Sequence, residues 1–128
     1  MLRILVIEDS PVNMALTVAI LENAGHTILQ AEHAAAGLEM ARAEQPDLVL
    51  MDIQLPDLDG LSATRLLKAD PRTRHIPVIA LTAFAMKGDE DGTREAGCDG
   101  YVTKPIRYKE FLAELDAVMK RRAALARR

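Results

Sequence analysis

Five short aliphatic runs, each followed by a stretch with helical spacing, constrain the fold of this chain more than any other feature. Leu2 to Ile7 is almost wholly aliphatic, as a strand buried on both faces requires. Leu48-Val49-Leu50-Met51-Asp52 repeats the pattern but ends on a carboxylate, before Pro56 and Gly60 turn the chain. Ile76 to Leu81 is a third such run, Thr27 to Ala31 a weaker one suited to an edge, and Tyr101-Val102 a short last one.

The intervening stretches predict helices. Ser10 is placed as an N-cap with Pro11 at the first helical position; Val12, Leu16, Ala19 and Ile20 follow at helical spacing until Gly25. Ala34 to Ala43 predicts a helix despite Gly37, and Leu61 to Ala69 another, which Pro71 cannot continue. Met86 to Ala96 contains Gly88 and Gly92, each costing about 1 kcal/mol against alanine, so this helix is expected to be soft. The last helix is predicted from Tyr108 to Arg122.

Strict strand–helix alternation implies a parallel sheet with right-handed crossovers and helices on both faces. For five strands the expectation is a flavodoxin-like, doubly wound α/β fold of order 2-1-3-4-5, whose ligand crevice opens between strands 1 and 3. The 128 residues suit one domain, placed at residues 1–122, with a short basic tail at 123–128.

A net charge of −3 argues against a generic nucleic-acid binder. The single cysteine, Cys98, excludes an internal disulfide framework and suits a reducing compartment. No apolar run approaches the roughly 20 residues of a membrane helix, so a cytoplasmic location is expected.

The chemistry gathers at the strand ends. Strand 1 leads to Glu8 and Asp9, strand 3 to Asp52, strand 4 to Thr82 and strand 5 to Lys104. Three carboxylates brought together repel one another unless a cation intervenes. Oxygen donors without histidine or cysteine favour a hard ion, Mg²⁺, which shares its sphere with phosphate oxygens. A hydroxyl and a primary ammonium complete a pocket suited to a phosphoryl group. His26, His33 and His75 have neither metal-ligand spacing nor a common element, and Cys98 is expected to pack rather than react.

These residues, in this order and spacing, resemble the receiver domain of bacterial two-component response regulators over essentially the whole chain. The matching elements are Glu8-Asp9, Asp52 within Met-Asp-Ile-Gln-Leu-Pro-Asp, Thr82-Ala83 and Lys104-Pro105. The run from His75 to Glu90 is similar to single-domain receivers of the DivK type. The resemblance implies that Asp52 accepts a phosphoryl group from a sensor histidine kinase or a histidine phosphotransfer protein. It implies Mg²⁺ held by Glu8, Asp9, Asp52 and the Gln54 backbone carbonyl, Lys104 paired with the phosphoryl group, and a cis Lys104–Pro105 bond. Gln54 and Phe84 stand where receivers vary their dephosphorylation rate; the apolar Phe84 implies a longer-lived phosphoaspartate. Thr82 and Tyr101 would form the switch, the hydroxyl moving to the phosphoryl group and the ring filling the vacated space. Output would pass by protein contact through the face of helix 4, strand 5 and helix 5, near which Phe84, Tyr101, Tyr108 and Phe111 are placed; Phe111 is expected to fill the core.

On this reading the protein is a switch that catalyses only its own phosphorylation and slow dephosphorylation. It contacts a downstream protein and no nucleic acid. The alternative is a receiver segment of a hybrid histidine kinase or larger regulator. A Mg²⁺-dependent aspartyl-phosphate phosphatase is disfavoured, because Gln54 stands where such enzymes place a second aspartate, and no insertion provides a substrate cap. A flavodoxin-like cofactor binder lacks the glycine-rich loop after strand 1.

Overall fold

In the computed structural model, which describes residues 1–82 and 87–126, strand and helix alternate from β1 to α5. The elements are β1 (Arg3–Ile7), α1 (Pro11–Asn23), β2 (Thr27–Ala31), α2 (Ala34–Glu44), β3 (Leu48–Asp52), α3 (Gly60–Ala69), β4 (Val78–Thr82), α4 (Lys87–Ala96), β5 (Gly100–Thr103) and α5 (Tyr108–Ala126). The sheet is parallel throughout, in the order β2-β1-β3-β4-β5 that the alternation predicts.

Side-chain alternation along each strand feeds two cores. Ile4, Val6, Leu48, Leu50, Ile79, Leu81 and Val102 face α1 and α5, meeting Met14, Leu21, Phe111, Leu115 and Val118. Leu5, Ile7, Val49, Met51 and Val78 face the other way, onto Ala34, Leu38 and Ala41 of α2 and Ala63 and Leu67 of α3. Phe111 is 0% exposed, as its expected core role requires; truncation to alanine would cost about 3–5 kcal/mol.

Ser10 caps α1 as predicted, accepting from the Asn13 N–H at 3.3 Å, with Pro11 opening the helix. Two glycines are fixed by close approach. A Cβ on Gly37 would lie 2.3 Å from Ile7 Cδ1, so α2 reaches β1 only because position 37 has no side chain. A Cβ on Gly60 would lie 2.2 Å from the Asp52 carbonyl oxygen, which brings the start of α3 against the end of β3.

Some boundaries differ from the sequence expectation. β4 begins at Val78 rather than Ile76, because the Ile76 N–H closes a turn onto Thr73 and Pro77 has no N–H to give a ladder. α5 continues past Arg122 to Ala126, through Ala123-Ala124-Leu125, since nothing there breaks a helix. Met86, the expected start of α4, lies outside the described residues.

Candidate functional site at the carboxyl edge

Glu8 follows β1 directly, and the register Val6↔Leu50 and Ile7↔Met51 sets it level with Asp52 at the end of β3. Both carboxylates are buried, Glu8 at 1% and Asp52 at 3% exposure, while Asp9 beside them is exposed. One carboxylate oxygen from each of Glu8, Asp9 and Asp52 lies within 4.8 Å of the others. Such a distance suits a shared divalent cation, and the all-oxygen donor set suits a hard one.

Lys104, just beyond β5, reaches into the same cluster. Its Nζ donates to Glu8 Oε1 at 2.9 Å and lies 3.3 Å from Asp52 Oδ2. The other Asp52 oxygen, Oδ1, accepts the Gln54 N–H at 3.0 Å, so the carboxylate is held from both sides. The Lys104–Pro105 peptide bond is cis.

Electrostatics follow from this crowding. Burial, then the hydrogen bond to Asp52, pushes the Glu8 carboxyl up to about 7, although Lys104 and the Ser10 N–H pull the other way. Burial draws the Lys104 ammonium down, but its bond to Glu8 and the charges of Asp52 and Glu8 outweigh that, leaving its pKa raised. In the absence of a metal, Lys104 supplies counter-charge to this pair of acids.

Thr82 is buried at the end of β4. The pairings Ala80↔Tyr101 and Thr82↔Thr103 put Thr82 and Tyr101 on the same sheet face, opposite to Leu81 and Val102. Tyr101 is half-buried and borders two surface cavities that Glu114 also lines; Glu114 Oε2 accepts the Tyr101 N–H at 3.3 Å. Phe84 lies outside the described residues. Tyr108, expected near the α4–β5–α5 face, opens α5 on the side toward α1. It lines a groove of about 470 Å³ between α1 and α5, with Leu16, Ile20, Ile106 and Leu112.

Sequence reasoning set His33 aside, yet it caps α2, its Nδ1 accepting the Ala36 N–H at 3.3 Å. Asp57, which closes the Met-Asp-Ile-Gln-Leu-Pro-Asp motif without an assigned role there, binds the same helix start. The signal available was the first turn of α2, Ala34-Ala35-Ala36, which has no acid of its own. Cys98 is half-buried, and burial pushes its thiol up, in line with a packing role. No described helix is long and apolar enough to cross a membrane.

Comparison with known proteins finds relatives in sequence and in fold. The family profile "Response regulator receiver domain" matches residues 4–116. The polar-differentiation response regulator DivK of Brucella anthropi is 43% identical over 116 residues, covering 91% of this chain and 94% of that protein; DivK of Brucella ovis matches to the same extent. The receiver domain of a sensor histidine kinase from Pseudomonas aeruginosa, solved with magnesium coordinated in its active-site cleft, superposes with a TM-score of 0.86 at 35% identity, covering 93% of this chain and 98% of that one. A putative response regulator from Chloroflexus aurantiacus shares the fold, with a TM-score of 0.89 at 23% identity over 93% of this chain and 98% of that one.

Proposed function

This chain belongs to the response regulator receiver domain family, and we propose that Asp52 is its phosphoryl acceptor. The observation that carries the proposal is a buried Asp52 carboxylate held between Lys104 Nζ and the Gln54 N–H, with Glu8 and Asp9 alongside. In the proposed reaction an Asp52 oxygen attacks the phosphorus of a partner's phosphohistidine. The P–O bond forms as the P–N bond breaks, and the imidazole leaves with the electron pair.

The three carboxylates fit a magnesium ion, which Glu8, Asp9, Asp52 and the Gln54 carbonyl would hold; a related receiver domain solved with magnesium in its cleft supports this reading. When bound, that ion offsets charge on the transferring phosphoryl oxygens. Lys104 then exchanges its Glu8 and Asp52 contacts for the phosphoryl group. Thr82 moves toward the same group and Tyr101 follows, altering the α4–β5–α5 face that a downstream protein reads. The donor is a sensor histidine kinase or a histidine phosphotransfer protein, the setting is cytoplasmic, and the product is a signal rather than a released metabolite. The DivK likeness supports a stand-alone role over a segment of a hybrid kinase.

The test is intact-protein mass spectrometry after incubation with acetyl phosphate and MgCl₂. One phosphoryl adduct is expected on the wild type, and none with EDTA or in Asp52→Asn. An adduct that survives Asp52→Asn would overturn the assignment, and steady turnover of phosphate esters would favour a phosphatase.

A further inference from the structure

A helix start leaves four N–H groups without intrahelical partners and carries partial positive charge. α2 begins Ala34-Ala35-Ala36, with no acidic side chain to answer either demand. The answer comes from the loop after the phosphoacceptor strand. Asp57 Oδ1 accepts the Ala34 N–H at 2.9 Å and Asp57 Oδ2 the Ala35 N–H at 2.9 Å. His33 Nδ1 lies 3.7 Å from Asp57 Oδ2. These contacts, the Ala35 N–H foremost, hold the Asp57 carboxyl below the usual carboxylate range.

The place of Asp57 in the chain gives the contact its meaning. It sits midway along the loop that joins Asp52 to α3. The ends of that loop are tied separately: Ile53 N–H to the Leu81 carbonyl at 3.1 Å, and Gly60 N–H to the Ile53 carbonyl at 2.8 Å. Asp59 is engaged with α3, accepting from the Ser62 N–H at 2.9 Å and the Ser62 hydroxyl at 2.7 Å. Leu55 and Leu58 pack on the apolar core, which fixes depth but not direction. Gln54 lies near the start of the loop, its own N–H bound to Asp52 Oδ1 at 3.0 Å; the two Asp57 bonds add a second directional hold three residues further on.

We propose that Asp57 is a positioning residue for phosphoryl acceptance: clamped to the amino end of α2, it holds the Gln54 carbonyl in place to join Glu8, Asp9 and Asp52 around the cation. The inference rests on the cation site proposed above. Groups that orient metal ligands from behind commonly contribute 10–100-fold to metal affinity. The role therefore falls on Mg²⁺ affinity rather than on the chemistry at Asp52.

Two readouts on the whole chain test it: Mg²⁺ binding by calorimetry, and the Mg²⁺ dependence of the initial rate of phosphorylation by acetyl phosphate. In Asp57→Ala the Mg²⁺ dissociation constant and the Mg²⁺ midpoint of the rate are expected to rise about tenfold, with the rate at saturating Mg²⁺ retained. Asp57→Asn, which sets an amide NH₂ against one of the two N–H donors, shifts both in the same direction and serves if Asp57→Ala fails to fold. A purely structural role would lower the melting temperature in EDTA and leave the Mg²⁺ midpoint unmoved. If the wild type binds Mg²⁺ and is phosphorylated while the variants keep its midpoint, the Asp57 proposal is overturned and the functional reading stands. If the wild type itself neither binds Mg²⁺ nor is phosphorylated, both fall.

Discussion

At the amino edge of the sheet Asp99 is matched on several sides, whereas at the carboxyl edge Glu8 and Asp52 share the Lys104 ammonium with Asp9 beside them. Asp99 Oδ2 takes Lys68 Nζ at 3.0 Å and the Val78 N–H at 2.8 Å, and Oδ1 lies 3.7 Å from Arg122. Its backbone carbonyl accepts from Arg121 at 3.1 Å, and Lys68 also reaches the Ile76 carbonyl. That cluster ties α3, β4, β5 and α5 together. The carboxyl-edge cluster does the reverse: among the described residues it sets Glu8, Asp9 and Asp52 against the one ammonium of Lys104. A paired carboxylate stabilises a fold; a surplus of buried carboxylate sets up chemistry and costs stability.

Substitutions at the two edges should therefore separate activity from stability. The largest effect is expected for Asp52→Asn: complete loss of the phosphoryl adduct by mass spectrometry, with the cooperative melt retained. An unfolded Asp52→Asn protein would erase the contrast, because the carboxyl edge would then also be structural.

Next comes pH. The folded-state pKa of Glu8 is raised from 4.5 to about 7, so the folded protein holds this proton more tightly than the unfolded chain. The contribution to stability is fully present below about 4.5 and is lost as pH rises through about 7. In EDTA the wild type should lose on the order of 3 kcal/mol across that window relative to Glu8→Gln. Urea melts of the two proteins at several pH values provide the measurement. Parallel curves would mean that the Glu8 proton is not the source, and that the carboxyl edge carries no such tension.

How much of this was legible in the sequence follows from what kind of signal carries each part. Alternating strands and helices dictate a parallel sheet, and a parallel sheet gathers every strand's carboxyl end at one edge. The meeting of Glu8, Asp9, Asp52 and Lys104 was thus readable from Leu2–Ile7, Leu48–Asp52 and the short last strand alone. Pairings between loops have no period to betray them. Asp57 meets Ala34 across 23 residues and Ala35 across 22, and neither end has a repeating pattern. Asp99, in the turn before β5, likewise gathers Lys68, Val78 and Arg122 from three other parts of the chain. Gly37 shows the other failure: local propensity counts it as a defect in α2, while contact with Ile7 requires it.

Asp99→Ala should cost about 2 kcal/mol, since it leaves the Val78 N–H unpaired and the half-buried Lys68 ammonium without its counter-charge, with only the Ile76 carbonyl to bind. The folded fraction should accept a phosphoryl group at the wild-type rate. Thermal or urea melts read the first effect and adduct formation the second. A slowed phosphorylation in folded Asp99→Ala would join the two edges and break the contrast.

The smallest effect is expected at Arg122, and it tests whether the amino edge is redundant. The Arg122 guanidinium donates to the His75 carbonyl and approaches Asp99 at 3.7 Å, but it is partly solvated. Exposed pairs of this kind are worth about 0.5 kcal/mol. Arg122→Ala leaves Asp99 with Lys68 and the Val78 N–H, so its charge stays matched. A loss near 0.5 kcal/mol, removable by salt, is the expected result. A loss equal to that of Asp99→Ala would instead make Arg122 the keystone of the cluster. The last turns of α5, from Arg122 to Ala126, would then help to hold β4 and β5 in register rather than extend past a finished fold.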